Sequence, residues 1–418
     1  MKKFFIILAA CMLLTSFNLP AMGDSPTKGV EPPWRHSRLK ATFGAQVFFK
    51  TFWADMDHRA MLIPAGPVAG TWQDKGPDNN LVWERLEEPS RVNAAFEYEN
   101  FTGLVEVSSR DDDANIRQAW GEWNFGIGFL AIGKMWAPTF KGTEVAIRHA
   151  GTPAMYGTAG GSDREDMVRL RFPISVGEIQ IAGIRPRYTM TEAITPIATD
   201  ADSDFKFPLL EASLALNFGP LSTHLSGGFL TYDEVVQVLP AAEKEYDRHA
   251  NFLQLAAALR LGRFSIKGKI WNAENPQQYG LACGANSPIP VAPQRLNAKY
   301  FASTDNISDV DAYGWNIAGK YKIIPRKIAL VVGYSKEYAE RKDPGGLHQD
   351  RKSSDMYVQL RTRVTKNVMM IPVVGKTHVE GKTELVIDPP GPPAPYTYRF
   401  DGDLEDTFYA GILWRFVF

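Results

Sequence analysis

The chain has 418 residues, with 46 Lys and Arg against 47 Asp and Glu, a net charge of -1, and 44% hydrophobic residues. So even a balance gives no electrostatic case for a nucleic-acid partner. No stretch of about 18 or more apolar residues occurs, which excludes a membrane protein built of spanning helices. A protein that crosses with alternating strands is not excluded, because such strands hide their hydrophobicity from averages.

Lys2 and Lys3, the apolar run Phe4 to Leu14 and the small-x-small Ala21-Met22-Gly23 read as a secretory signal peptide, residues 1–23. Leu8-Ala9-Ala10-Cys11 has the look of a lipobox, but Met12-Leu13-Leu14 continue the apolar core past the cysteine. Cleavage after Gly23 removes Lys2, Lys3 and Cys11, so the net charge moves from -1 to -3 and Cys283 is left alone. A single cysteine makes no internal disulfide. Residues 24–38, with Pro26, Pro32 and Pro33, form an irregular periplasmic lead-in.

From Leu39 onward, segments of about ten residues with period-two alternation recur. The first is 39–54, followed by a Gly-, Pro- and Asp-rich loop over 55–90. Hairpins follow at 91–99 with 103–110, 115–125 with 129–137, 164–174 with 178–188, and 207–218 with 221–232. Three more lie at 250–261 with 264–272, 311–322 with 328–338, and 354–364 with 368–379. The last strand is 404–418. The expected fold is all-β: a transmembrane antiparallel β-barrel over 39–418, of about sixteen strands, with short periplasmic turns and long extracellular loops. The last strand pairs with the first and removes the free edge.

Successive side chains of a strand point to opposite faces. In the last strand Phe408, Ala410, Ile412, Trp414, Phe416 and Phe418 share one wholly apolar face. Leu253, Leu255, Leu259 and Leu261 oppose Gln254 and Arg260; Phe264, Ile266 and Ile270 oppose Lys267 and Lys269. Trp315 and Ile317 oppose Asn316 and Lys320, and Val168 and Leu170 oppose Arg169 and Arg171. The apolar face is assigned to outer-membrane lipid and the charged face to a wet lumen. Tyr98, Tyr313, Tyr321, Trp414 and Phe418 near strand ends belong to aromatic girdles.

The signal peptide, the strand count and the terminal Trp414-x-Phe416-x-Phe418 together resemble the bacterial general porins over nearly all of the mature chain. The resemblance implies a homotrimeric channel of the bacterial outer membrane for small hydrophilic solutes, with no cofactor, no metal and no enzyme activity. It implies that Trp414, Phe416 and above all Phe418 are read by the barrel-assembly machinery. It also implies that the third long loop, 138–163, folds inward as a constriction, with Lys141, Glu144, Arg148 and His149 as its charged residues. This loop lacks the acidic tip of some relatives, and the second loop, Asp111 to Ala114, is too short for the family's subunit latch.

Charge on inward positions is the physical case for a pore, since charges are hard to bury dry. The basic candidates are Arg169, Arg171, Arg260, Lys267, Lys269, Lys320, Arg361, Arg363 and Arg415. The acidic ones are Glu97, Glu99, Glu106 and Glu211. Rings of basic side chains favour anions, so a weak anion preference is expected. The alternatives are a substrate-selective channel, an adhesive barrel whose loops carry function, and a phospholipase-like barrel enzyme using His224 and Ser226. The last is disfavoured because His224 falls on the lumen side and no third, orienting residue can be assigned.

Overall fold

The computed structural model describes residues 39–61, 72–74, 81–86, 90–110, 113–140, 164–186, 192–193, 198–238, 243–279, 299–301, 306–342, 348–387 and 396–418. Sixteen strands among these close into one antiparallel barrel. In chain order they are β1 (Lys40–Met61), β2 (Arg91–Tyr98), β3 (Phe101–Arg110), β4 (Asp113–Asn124), β5 (Phe129–Trp136) and β6 (Arg164–Ile174). Then come β7 (Gly177–Ile184), β8 (Leu209–Phe218), β9 (Leu221–Val238), β10 (Glu243–Leu261) and β11 (Phe264–Glu274). The last five are β12 (Val310–Ile324), β13 (Ile328–Lys342), β14 (His348–Arg363), β15 (Val368–Ile387) and β16 (Tyr396–Val417). The signal peptide, the lead-in and residues 141–163 lie outside the described residues.

Closure is made by β1, which pairs with β16 from Gln46↔Val417 to His58↔Glu405. Its other edge is shared. The lower part, Lys40 to Gln46, pairs with β2, and Phe49 to Ala54 pairs with the short strand Leu81–Leu86. The ladder breaks between these partners, at Phe48. There the Ser90 side chain replaces the missing backbone: the Phe48 N–H donates to Ser90 Oγ at 2.8 Å, and the Ser90 hydroxyl donates to the Phe48 carbonyl at 3.1 Å. A buried backbone pair without partners would be costly in lipid.

The tight turns lie at the Phe418 end. Gly219 and Gly262 turn there at φ 60° and 57°, the left-handed region that suits glycine. The first hairpin turns at Glu99-Asn100, one residue earlier than the alternation suggests, with Glu99 at φ 51°. Many strands also run further on the long-loop side than expected. β10 begins at Glu243 rather than 250, β15 runs to Ile387 rather than 379, and β16 begins at Tyr396 rather than 404. The extension 243–249, EKEYDRH, is almost wholly polar, so the alternation does not announce it. Backbone pairing needs no apolar face.

The outward phase is as expected. Leu253, Leu255, Ile270, Ile317, Met356 and Ile412 are exposed while their chain neighbours Gln254, Lys269 and Leu413 are buried. From Phe408 to Phe418 the outward run is about 34 Å along the strand and about 26 Å high at a tilt of about 40°, close to a membrane barrel's apolar band. Aromatic pairs mark both borders. At the short-turn end Phe101 stacks on Trp123 at 6.3 Å, and Trp123 meets Phe125 at 5.9 Å. At the other end Tyr313 meets Tyr338 at 5.1 Å, and Trp53 meets Phe408 at 5.8 Å.

The inward face is less uniformly polar than the alternation implies. Val331, Tyr357, Ile371, Val373, Tyr409 and Leu413 form an apolar cluster on the lumen wall of β13 to β16. Its organising row is Gly333↔Tyr357↔Gly375↔Tyr409, one residue from each strand. A Cβ at Gly333 would come within 2.3 Å of the Tyr357 ring, and one at Gly375 within 2.3 Å of the Tyr409 ring. Each glycine therefore lets a tyrosine lie flat on the neighbouring strand. Tyr409 then donates its hydroxyl to Asp355 Oδ1 at 3.1 Å.

Two predictions follow from the wall. Replacing Leu255 by arginine, in the middle of the outward band, is expected to destabilise the barrel by about 2–4 kcal/mol in lipid vesicles. Equilibrium urea unfolding measures it, with Leu255→Met as the near-neutral control. Gly375→Ala is expected to lift the Tyr409 ring and cost about 1–3 kcal/mol by overpacking. The same titration should show Tyr409→Phe, which keeps the ring and loses only the hydroxyl, to be milder.

Candidate functional site: the lumen wall

The lumen wall falls into stretches of different chemistry. Along β8 to β11 the chain itself packs against it. Residues after β5 turn inward, and Thr139 is fully buried. Its N–H and its hydroxyl both donate to Glu211 Oε2, at 3.1 and 2.7 Å, and Gln254 Nε2 donates to its carbonyl at 3.1 Å. Glu211 is thus an anchor for the chain entering 141–163. The residues named for the constriction, Lys141, Glu144, Arg148 and His149, lie outside the described residues.

A second inward turn follows β11. Asn275, at φ 50°, donates its side-chain N–H to the His249 carbonyl and to Asp309 Oδ1, both at 2.7 Å. The 3₁₀ turn Pro276–Tyr279 then seats Tyr279 against Phe252 at 5.4 Å. Its hydroxyl donates to the Ala250 carbonyl at 3.2 Å. Burial, with Glu211 nearby, pushes that hydroxyl well above the ordinary tyrosine range, so it stays a donor.

From β2 to β7 the wall is charged and paired. Glu106 forms an ion pair with Arg91 at 2.9 Å and accepts a hydrogen bond from Arg117 Nε at 3.0 Å. Arg117 is the extra residue of a bulge, where Glu106 faces Gln118 and Val107 faces Ile116. The bulge turns both Arg117 and Gln118 away from the exposed Ile116. Glu122 receives two bonds from Arg171, at 2.7 and 3.3 Å, and lies 3.7 Å from Arg169. Arg171 also bonds Glu178 at 2.7 Å and lies over the Phe129 ring. Bidentate, partly buried pairs of this kind are the strong ones. Arg169 and Arg171 are therefore wall braces rather than free charges.

At the short-turn end of β12 to β16 and across the seam the wall is basic. Lys322 and Arg361 share one ladder row through Ala329; Arg363 and Arg415 share the next through Met369. Arg415 lies near enough to Arg91, Arg361 and Arg363 to feel their charges. Like charges about 7 Å apart repel by roughly 0.6 kcal/mol in water, and more where water is scarce. Gln46 eases this at the seam. Its side-chain carbonyl accepts from Arg91 of β2 at 3.3 Å and from Arg415 of β16 at 3.1 Å. Neither Arg363 nor Arg415 meets a carboxylate among the described residues.

The remaining candidates scatter. Lys267, Lys269 and Lys320 lie in the inward phase, with Lys269 buried, and Arg260 is exposed at the rim. Glu97 pairs with Lys40 at 3.1 Å at the exposed edge. Glu99 belongs to a turn and not to the lumen wall, because the hairpin turns one residue early. Trp414, Phe416 and Phe418 take the outward phase, and the Phe418 N–H donates to the Ala45 carbonyl at 2.9 Å. His224 and Ser226 are both buried on the lumen side, where Gln254 Nε2 meets Ser226 Oγ at 3.3 Å. The alternation alone places Arg91, Glu122 and Glu178 in the inward phase. Arg117 was hidden by the bulge, and Gln46 and Thr139 carry no local signal.

No protein-family description matches the chain, and no curated protein does. Solved structures do resemble it. The outer membrane channel DcaP of Acinetobacter baumannii matches with a TM-score of 0.56 at 14% identity, covering 94% of this chain and 100% of that one. OmpT, an outer membrane protein of Vibrio cholerae in its trimer form, matches at 0.52 and 17% identity, over 91% and 99% of the two chains. The anion-selective porin from Comamonas acidovorans matches at 0.51 and 12% identity, over 91% and 100%. At such identities the likeness shows the fold alone: a sixteen-stranded antiparallel barrel of the kind these outer-membrane proteins have.

Proposed function

We propose that the protein is an outer-membrane porin through which ions and small hydrophilic solutes diffuse passively, with a weak preference for anions. The observation that carries this is the charge balance of the lumen wall. Among the described residues, the inward carboxylates Glu106, Glu122 and Glu178 of β3, β4 and β7 are engaged by arginines, while Arg363 and Arg415 face the lumen without one. A lumen with unneutralised cations concentrates anions. One structure of similar fold is of an anion-selective porin, which agrees with this reading but at 12% identity does not carry it.

Around that core stand further proposals. Residues 1–23 are removed on export, 24–38 form a periplasmic lead-in, and 138–163 narrows the lumen from its anchor at Thr139. Phe418 is the residue read by the barrel-assembly machinery, and the barrel assembles as a homotrimer. The trimeric form of one similar structure supports the last point. We assign no catalytic activity: His224 and Ser226 lie on the lumen side, away from membrane lipid.

In planar bilayers under a salt gradient, the purified protein is expected to give a reversal potential of the sign set by chloride. A clear cation preference would sink the reading. Arg363→Gln with Arg415→Gln is expected to move the reversal potential toward zero without abolishing conductance. A native-gel mass of one chain would reject the trimer.

A further inference from the structure

We propose that the short-turn mouth of the barrel holds a binding site for solutes that carry two or more linked oxyanionic groups, and that an occupied site blocks the pore from that side. The blocking half rests on the channel reading above; the binding half does not.

A cavity of about 370 Å³ opens where β12, β13 and β14 reach their turns. Lys320, Lys322, Arg326, Lys327, Arg361 and Arg363 line it, and no carboxylate among the described residues does. This differs from the braced wall of β2 to β7, where each inward arginine cluster holds a glutamate.

The cations sit on short, tied backbone. Pro325 and Arg326, at φ 64°, form the turn between β12 and β13. The Lys327 N–H closes that turn on the Ile324 carbonyl at 3.0 Å. The Arg363 N–H then donates to the Lys327 carbonyl at 2.7 Å, joining the turn to the end of β14. The Lys322 N–H is held in the same way by the Arg263 carbonyl at 2.9 Å. These bonds fix the backbone from which the cations extend, so that part of the site needs no ordering on binding.

The spacing selects for valence. Lys322 and Arg361 share a row two strands apart, about 10 Å between backbones, and Arg361 and Arg363 are about 7 Å apart along one strand. One chloride or one carboxylate meets a fraction of this charge. Two linked oxyanions reach both rows, and the planar guanidinium forks of Arg361 and Arg363 match phosphate or carboxylate oxygens. Ile324, Ile328 and Met369 give the cavity an apolar side on which a linker can rest.

The test is calorimetry on the detergent-solubilised full-length barrel at low ionic strength, where screening is weak. Pyrophosphate and citrate are titrated against orthophosphate and acetate. At least one of the first pair is expected to bind about tenfold or more tightly than either of the second, and which one does so identifies phosphate or carboxylate as the preferred oxyanion. Equal affinity across the four, or no heat from any, overturns the site. Lys322→Gln with Arg363→Gln is expected to weaken the tighter ligand about tenfold or more, whereas Arg185→Gln, an exposed charge outside the cavity, leaves it unchanged. Loss in both variants, or in neither, also overturns the site. In bilayers the same ligand should reduce conductance from the short-turn side at lower concentration than from the other. Equal block from both sides overturns the gating half. A barrel that binds pyrophosphate or citrate yet never conducts rejects the channel reading and leaves the site standing.

Discussion

The structure depends on the pairing of its first strand with its last. In lipid every backbone N–H and C=O needs a partner within the protein, and an open sheet edge has none. The ladder between Gln46–His58 and Glu405–Val417 supplies those partners for both strands at once. Ser90 repairs the other edge of β1 at Phe48, and Gln46 bridges the arginines brought together there. With the seam closed, the strand number is even, and the beginning of β1 and the end of β16 lie at the same end of the barrel.

Closure also creates an inside whose contents the strands alone do not specify. On β8 to β11 the wall is covered by the protein's own turns, through Thr139 on Glu211 and Tyr279 on Phe252. On β13 to β16 it is tiled by tyrosines lying across glycines. Both make the wall stiff. Alternating small and large residues let rings pack flat against the strand, so the aromatic surface does not project into the lumen.

The charges divide by neighbourhood more than by number. The chain has almost as many acids as bases, yet at the lumen wall they sort into braces and free groups. Glu122 and Glu178 match Arg169 and Arg171 charge for charge, and Glu106 is held between Arg91 and Arg117. At the ends of β14 and β16, Arg363 and Arg415 meet no carboxylate among the described residues, and a positive field survives there. A near-zero net charge therefore says little about the field that a solute meets inside a barrel.

The sequence by itself determined the class of fold, the strand number, the outward face and the closing partner. Each follows from a local rule: period-two alternation is set by strand geometry, and the apolar face by transfer into lipid, so both are written residue by residue, as in Phe408 to Phe418. The inward phase of Arg361, Arg363 and Arg415 was legible for the same reason. Only the tertiary structure decided what those inward residues meet. A strand end such as 243–249, EKEYDRH, carries almost no apolar residue, so its pairing is not announced by the alternation. Arg117 was invisible because a bulge reverses the phase. The bonds of Glu211 with Thr139, and of Gln46 with two arginines, join residues far apart in the chain. Whether an inward charge is a brace or a free group depends on the register between strands, and that register exists only once the barrel has closed.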